Sequence, residues 1–309
     1  MSKTAVLFSG QGAQYVGMGH DLYEADAQAK ALYDLGEALR PGTTQVCFNG
    51  ESEELTKTEN TQPALFLTDL AFANALKEAG ITADAVAGFS LGEIPALAYS
   101  GILSTEDAFK LVIIRGNKMG ELSGKYAGGM AAALKLEPSV VEETCREFKE
   151  IWPVNYNCPG QISCAGSADE IDAFCDAVKA KGGRAVKLAV SGAFHTPYMK
   201  EASEELAKAL ENMKVSAPDI AIYANRTGKP YTDDTSEIIE TVSKQASSSV
   251  RFEETLKNMW EDGIRTFIEV GAGKTLTGFV KKTLPEAKVY TVTTVESLNE
   301  TVDNIKAGV

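Results

Sequence analysis

The sequence is poor in the residues that build metal sites and disulfide frameworks. It has only two histidines in 309 residues, and its five cysteines form no C-x-x-C pair. So few histidines argue against a zinc-type site, because such sites draw on clustered His and Cys. An odd number of unpaired cysteines is typical of a reducing compartment. These cysteines are Cys47, Cys145, Cys158, Cys164 and Cys175.

Long apolar runs and an excess of basic residues are also missing. No stretch approaches the ~20 apolar residues that a membrane span needs, and residues 1–8 contain no signal-peptide core. The formal charge of -13 argues against nucleic-acid binding, which needs clustered Lys and Arg. We therefore expect a cytoplasmic protein that binds neither nucleic acid nor membrane.

An anionic partner of so acidic a chain would have to meet a local basic patch. The alternative for scattered basic residues is an ordinary solvated surface. The residues best suited to such a patch are Arg251, Lys257, Lys274, Lys281 and Lys282.

Strand-like and helix-like segments alternate over the first 120 residues, which predicts a parallel sheet covered by helices. Thr4 to Phe8 and Asp84 to Phe89 are short apolar runs typical of buried strands. Asn60 to Leu76 reads as a helix with an early proline, and Gly80 ends it. The hydrophobic content of 44% is enough for a sizeable core in one large or two modest domains.

Residues 126–190 have a different pattern, whose order β-α-β-β-α-β is that of a ferredoxin-like unit. Its predicted strands are Gly129–Leu136, Pro153–Tyr156, Gln161–Ala165 and Arg184–Val190, and its predicted helices are Pro138–Lys149 and Ala168–Lys181. Alternating helices and strands then resume. We predict an α/β subdomain of residues 1–125 and 191–309, with a smaller α+β subdomain of residues 126–190 inserted and a cleft between them.

The pentapeptide Gly88-Phe89-Ser90-Leu91-Gly92 lies between a predicted strand and a helical stretch that ends at Tyr99. A G-x-S-x-G turn at this place is typical of a nucleophilic serine, because small flanking residues allow a turn tight enough to expose the hydroxyl. The motif also occurs by chance, so it needs a general base and an oxyanion site elsewhere in the chain.

A nucleophilic serine needs a base, most often histidine. His20 lies beside Asp21 in a polar stretch and reads as a surface or helix-entry residue. His195 follows a predicted strand and precedes a helix start with Thr196 as cap and Pro197 in its first position. Loops at this place carry the chemistry of open α/β sheets, so we favour His195.

Arg115 is an anomaly in the helix that Ser104 caps. It lies in the middle of an apolar stripe, and a buried guanidinium is costly unless it is paired. The stripe consists of Ala108, Leu111, Val112, Met119 and Leu122. The helix alone leaves two explanations open: a structural Asp or Glu partner, or a carboxylate that belongs to a substrate.

Two glycine-rich segments do not match nucleotide-binding motifs. After Gly10-x-Gly12, Tyr15 stands where a dinucleotide fingerprint needs its third glycine. Before Gly273-Lys274-Thr275, Ile268 stands where a phosphate loop needs its first glycine. We interpret neither segment as a nucleotide site and expect no cofactor.

Six motifs together closely resemble the malonyl-CoA:acyl carrier protein transacylases, in the family's order and over nearly the whole chain. They are Gly10-Gln11-Gly12-Ala13-Gln14, Gly88-Phe89-Ser90-Leu91-Gly92-Glu93, Arg115-Gly116, Asn155-Tyr156-Asn157-Cys158-Pro159-Gly160-Gln161, Gly192-Ala193-Phe194-His195-Thr196 and Ile268-Glu269-Val270-Gly271. The resemblance implies an α/β-hydrolase-like core with an inserted ferredoxin-like subdomain. It also implies ping-pong transfer of malonyl from coenzyme A, through Ser90, to the phosphopantetheine thiol of acyl carrier protein, which supplies fatty acid chain extension.

The resemblance further implies roles for individual residues. His195 is implied to be the base, the backbone N–H groups of Gln11 and Leu91 to hold the oxyanion, and Arg115 to bind the free malonyl carboxylate. The backbone carbonyl of Gln245 is implied to orient the histidine in place of a third acidic side chain.

Two apolar residues complete the expected acyl site. Phe194 resembles the malonyl-type pattern of related acyltransferases, in which a bulky residue disfavours a substituted acyl chain, and Met119 shares the helix face of Arg115. The chain departs from the family at Phe89, often histidine, and at Gly120, often glutamine. Pro95 is expected to remove a hydrogen bond from the helix after the serine.

Two other functions share part of this pattern. A serine esterase or thioesterase would have the same turn, histidine and oxyanion site, but no general need for a buried cation such as Arg115. A catalytically silent module that binds carrier protein would not need Ser90, His195 and Arg115 together.

Overall fold

The computed structural model describes residues 3–190 and 192–308. Its strands are β1 (Lys3–Phe8), β2 (Ala85–Gly88), β3 (Gly128–Leu134), β4 (Ile151–Cys158), β5 (Gln161–Ser167), β6 (Arg184–Lys187), β7 (Ala221–Tyr223), β8 (Ile264–Val270) and β9 (Lys288–Val292). Its α-helices are α1 (His20–Ala25), α2 (Ala27–Leu39), α3 (Thr43–Asn49), α4 (Ser52–Thr56), α5 (Thr58–Glu78), α6 (Glu93–Tyr99), α7 (Thr105–Lys125), α8 (Pro138–Arg146), α9 (Ala168–Ala180), α10 (Lys200–Leu210), α11 (Thr235–Lys244), α12 (Phe252–Glu261), α13 (Thr275–Thr283) and α14 (Val295–Ala307).

The larger sheet has five strands in the order β7-β2-β1-β8-β9, and every neighbouring pair is parallel. The central strand β1 is buried from Ala5 to Phe8, as expected when helices cover both faces of a parallel sheet. The predicted parallel α/β core is confirmed. β2 and β7 lie on one side of β1, and the later strands β8 and β9 lie on the other, so the order in which strands are added to the sheet reverses at β1. Open α/β sheets bind ligands at such a switch point.

The smaller sheet has four strands in the order β4-β5-β3-β6, all paired antiparallel. With α8 and α9 it follows the predicted order β-α-β-β-α-β and encloses a core of its own, which includes Val141, Phe174 and Val178. The predicted ferredoxin-like unit is therefore present, with every strand of its sheet between residues 128 and 187. The exact subdomain limits stay a prediction, and Met1, Ser2, Ser191 and Val309, which fall in the predicted larger subdomain, lie outside the described residues.

Two corrections concern helices. The sequence patterns did not predict α1 to α4, α13 or α14. Of these, α1, α3 and α4 have five to seven residues, whereas α2 and α14 have 13 each. The stretch after the serine begins as a 3-10 turn, Ser90–Gly92, and only then becomes α6. Pro95 is therefore the third residue of α6, and because the 3-10 turn runs directly into this helix, the expected loss of a hydrogen bond stays a prediction.

Over residues 3–190 and 192–308 there is no helix with both the length and the hydropathy to span a bilayer.

Candidate active site

Ser90 lies directly after β2 in a turn that only small neighbours allow. Its φ angle is 52°, in the left-handed region that non-glycine residues rarely adopt. A Cβ on Gly88 would lie 1.9 Å from the Gly92 carbonyl carbon, and a Cβ on Gly92 would lie 2.3 Å from the Phe8 carbonyl oxygen. The turn therefore packs backbone against backbone, which explains both glycines of the motif and leaves Ser90 at the end of the strand.

His195 is in position to take the proton of Ser90. Its Nε2 lies 2.7 Å from Ser90 Oγ, and its Nδ1 lies 3.2 Å from the Gln245 carbonyl oxygen and 3.0 Å from that of Ser248. Carbonyl oxygens only accept hydrogen bonds, so Nδ1 carries the proton and Nε2 is free to accept from the hydroxyl. His195 also has a positive φ angle, 63°, and such strained residues cluster at functional sites.

The surroundings of His195 keep its imidazole neutral. Burial, and after it the positive charge of Arg115, lower its pKa to about 4 against the opposing effect of the two carbonyls. A neutral imidazole is the form that acts as a general base. The side chain of His20 is instead exposed and lies 3.7 Å from Glu24, as predicted for a surface histidine.

Arg115 reaches the same point from α7, with only 1% of its surface exposed. Its Nη2 donates to Ser90 Oγ at 3.1 Å and to Gln245 Oε1 at 2.9 Å, whereas Nε and Nη1 have no partner within the described residues. The charge of Glu93 influences the Arg115 guanidinium without a direct contact, and none of the acidic residues in the described ranges forms an ion pair with Arg115. A buried cation with free donors beside the serine favours the substrate-carboxylate explanation over the structural one.

A cavity of about 440 Å³ opens in front of Ser90 and His195. Gln11, Met119 and Phe194, three of the predicted site residues, line it. Leu91 is fully buried and does not line it, so only its backbone N–H, next to Ser90 in the turn, remains available for the predicted role. Gln11 stands in a turn closed by the Ala13 N–H on the Gly10 carbonyl, at 3.3 Å.

The two departures from the family have local explanations. The ring of Phe89 packs against Phe252 and Phe279, with centroids 5.3 and 5.9 Å away, so this position supports packing rather than a polar role. A Cβ on Gly120 would lie 2.7 Å from Glu59 Oε2, so a larger residue there would have to displace the Glu59 side chain.

The basic residues proposed for an anionic partner lie on the surface. Arg251 forms an ion pair with Glu254 and lies over the Tyr156 ring, and Lys257 forms an ion pair with Glu253. Lys274, Lys281 and Lys282 are exposed along α13. Their role in docking stays a prediction.

Three groups of the site were not found by sequence reasoning: the Ser248 carbonyl, Glu93 and Asn225. Asn225 Oδ1 accepts from the Ser90 N–H at 2.7 Å, and its Nδ2 donates to the Gly88 carbonyl at 2.6 Å. Glu93 is buried, and burial raises its pKa to about 7. The sequence does hold a signal for Asn225, because this residue closely follows the short apolar run that forms β7. Within the described ranges, no three His, Cys, Asp or Glu residues gather as metal ligands.

Comparisons with known proteins show the family of the chain. The family model described as acyl transferase domain matches residues 6–306. The malonyl CoA-acyl carrier protein transacylase of Bacillus subtilis (strain 168) is 38% identical over 312 residues, which is 99% of this chain and 98% of the relative. That of Staphylococcus aureus (strain MRSA252) is 37% identical over 305 residues, 96% of this chain and 98% of the relative.

Solved structures give the same result. The malonyl CoA-acyl carrier protein transacylase from Clostridium perfringens ATCC 13124 superposes with a TM-score of 0.95 at 36% identity, covering 99% of this chain and 98% of that one. A malonyl-transacylase solved in complex with a type II PKS acyl-carrier protein superposes with a TM-score of 0.94 at 32% identity, covering 98% of this chain and 100% of that one.

Proposed function

The chain belongs to the acyl transferase domain family, within its malonyl CoA-acyl carrier protein transacylases, and from this premise we propose how its residues perform the transfer. It moves a malonyl group from coenzyme A to the thiol of acyl carrier protein, a step that supplies fatty acid synthesis. The observation that carries the residue assignment is that Ser90, His195 and Arg115 meet at one hydroxyl, with Oγ 2.7 Å from imidazole Nε2 and 3.1 Å from guanidinium Nη2.

In the first half-reaction, Ser90 Oγ attacks the thioester carbonyl and its proton passes to His195 Nε2. The backbone N–H groups of Gln11 and Leu91 stabilise the oxyanion. The carbon–sulfur bond then breaks, and the departing thiolate takes the proton from the imidazolium. This leaves malonyl esterified to Ser90.

In the second half-reaction, the thiol of the carrier protein gives its proton to His195 and attacks the malonyl ester. The ester bond breaks, and Ser90 Oγ recovers the proton. The Gln245 and Ser248 carbonyls hold Nδ1–H throughout, so the ring keeps one tautomer and orientation. A buried carboxylate is therefore not required as the third member of a catalytic triad with Ser90 and His195.

Arg115 makes the site selective for an acyl group that ends in a carboxylate. This carboxylate lies one methylene away from the carbonyl that Ser90 attacks, so a guanidinium beside Oγ is within its reach. The free Nε and Nη1 donors suit a bidentate contact. The carboxylate of bound malonyl also offsets the charge of Arg115, which is one of the two effects that lower the pKa of His195. Malonyl binding therefore makes His195 a stronger base. Met119 and Phe194 form the apolar wall beside this contact.

The experiment that tests this assignment measures the intact mass of the protein after incubation with malonyl-CoA, before and after addition of holo acyl carrier protein. We expect one malonyl adduct, mapped to Ser90 by peptide mass, that disappears as malonyl-carrier forms. Malonate released into water as fast as malonyl-carrier forms would instead identify a hydrolase. An adduct on another residue would reject Ser90.

The cellular location and the subdomain limits are further parts of the proposal. A cytoplasmic location is supported by five buried cysteines that are all free thiols, and fractionation of cells that produce the protein tests it. Subdomain limits at residues 125/126 and 190/191 are supported by the separate sheet and core of residues 128–187. These limits would be supported if hydrogen exchange shows that residues 128–187 and the rest of the chain open with different free energies.

A further inference from the structure

The side chain of Asn225 spans the turn that carries Ser90. Its Oδ1 accepts the Ser90 N–H at 2.7 Å, and its Nδ2 donates to the Gly88 carbonyl at 2.6 Å. An N–H can only donate and a carbonyl can only accept, so these two partners fix the orientation of the amide without ambiguity. One planar group thus joins the residues on either side of Phe89.

This link acts on a strained piece of backbone. Ser90 has a φ angle of 52°, and a conformation of this kind persists only where the surroundings impose it. Asn225 is 2% exposed, so no solvent is in place to satisfy the Ser90 N–H and the Gly88 carbonyl if the amide is lost. Both conditions make the geometry of the turn depend on this side chain.

Asn225 is itself held in place by the start of α6. Its backbone N–H donates to Glu93 Oε1 at 3.1 Å, and the Tyr231 hydroxyl donates to the same oxygen at 2.7 Å. The Arg251 N–H donates to the Asn225 carbonyl at 2.8 Å. The residue is therefore anchored at its backbone and leaves its amide to the serine turn.

We propose that Asn225 is a positioning residue for acyl transfer, which fixes the peptide plane of Ser90 so that Oγ faces His195 and the next N–H faces the oxyanion. Asn225 does not line the cavity, so it acts through Ser90 and touches no substrate atom. The inference rests on the proposed role of Ser90 as nucleophile.

The sharpest variant is Asn225→Asp, which keeps the shape but replaces the Nδ2 donor by an oxygen. An ionised carboxylate repels the Gly88 carbonyl, whereas a protonated one can donate to it and accept from Ser90, as the amide does. We expect the rate of acylation per active site to fall by about 10²-fold at pH 8, the loss typical of a displaced reacting group. The rate should recover as the pH falls towards 5.

The wild-type protein should show no such recovery, because His195 stays neutral down to a pH of about 4. Glu93, with a pKa of about 7, accepts from the Asn225 backbone N–H in wild type and variant alike, so its titration cancels when the variant rate is divided by the wild-type rate at each pH. Asn225→Ser removes both side-chain bonds without adding a charge, and we expect it to be slow at every pH. Asn60→Asp is the matched control, since Asn60 is also a buried amide, bonded to Arg40 and Glu54, outside the cavity. It should keep the wild-type rate and pH profile.

Rates are normalised to active sites counted with a fluorophosphonate probe that labels reactive serines. A merely structural role lowers the number of sites and leaves the rate per site unchanged, and that result would overturn the inference. A slow Asn225→Asp variant with the wild-type pH profile would overturn it too. If wild-type protein forms no malonyl-Ser90, the proposed function fails, and the rate of probe labelling still reports whether Asn225 positions the serine.

Discussion

The two sheets reach the same cavity in different ways. The parallel sheet meets it with the carboxyl ends of β1, β2 and β8, which are followed by Gln11, Ser90 and Thr275. The antiparallel sheet meets it with side chains from the face of its strands, among them Asn155, Asn157 and Ser163. Backbone N–H groups are free at strand ends, whereas β5, which carries Ser163, is paired on both sides and offers only side chains. The edge strand β4 is paired with β5 on one side, and on the other its backbone exchanges hydrogen bonds with Val250.

This difference separates chemistry from recognition. An oxyanion site needs unpaired backbone N–H groups, and an exposed nucleophile needs a tight turn, and both occur where parallel strands end. The face of the smaller sheet can line the path of a substrate without taking part in the reaction. Substitutions at the strand ends should therefore change kcat, and substitutions on the smaller sheet should change KM.

The largest effect is expected at Ser90. Ser90→Ala removes the proposed nucleophile, so the malonyl-enzyme should be absent by intact mass and transfer should fall by on the order of 10⁴-fold or more. Ser100→Ala is the control, because Ser100 is fully buried but bonds the Leu97 carbonyl outside the cavity. Unchanged turnover of the Ser90→Ala protein would show that the strand ends of the parallel sheet do not supply the nucleophile.

The next effect concerns Arg115 and should depend on the substrate. Arg115→Ala should lower kcat/KM for malonyl-CoA by about 2–5 kcal/mol, the range for a lost buried charge pair, and spare acetyl-CoA. Arg115→Lys keeps the charge but loses the planar fork, so its kcat/KM for malonyl-CoA should lie between those of the wild type and of Arg115→Ala. Equal losses on malonyl-CoA and acetyl-CoA would show that Arg115 stabilises the site and does not select the acyl group.

A smaller effect is expected in the pH dependence. Acylation needs neutral His195, so kcat/KM should stay flat from neutral pH down to about pH 5 and fall through the pKa of about 4. Removing the Arg115 charge favours the imidazolium, so in Arg115→Ala the midpoint for acetyl-CoA should move up towards the ordinary histidine value. Burial keeps part of the shift. An unmoved midpoint would mean that Arg115 has no electrostatic effect on the base.

The smallest effect is expected on the antiparallel sheet. Asn157 is buried, faces the cavity and donates to Ser163 Oγ at 3.2 Å, and its Oδ1 has no partner among residues 3–190 and 192–308. Asn157→Ala should raise KM for malonyl-CoA several-fold, about 1 kcal/mol for one hydrogen bond, with kcat little changed. Steady-state kinetics beside the exposed control Asn212→Ala check this. A loss confined to kcat would contradict the division between the two sheets.

Much of the fold could be predicted from the sequence because its strong patterns are local. β1 and β2 are short apolar runs. The helix α7 is indicated by its apolar stripe and by its cap, Ser104, which accepts from the Asp107 N–H at 3.0 Å. The helices α1, α3 and α4 were missed because a helix of five to seven residues has too few turns to show a period. Packing rather than propensity holds such segments in place.

The sequence by itself determined that Ser90 stands in a turn between strand and helix, that Arg115 interrupts an apolar face, and that His195 precedes a capped turn. Each of these facts depends on residues close together in the chain. Only the tertiary structure decided that these three side chains meet at one hydroxyl and that Asn225, 135 residues from Ser90, closes its turn. Contacts between distant parts of the chain depend on how the strands order themselves in the sheet, and no local pattern encodes that order.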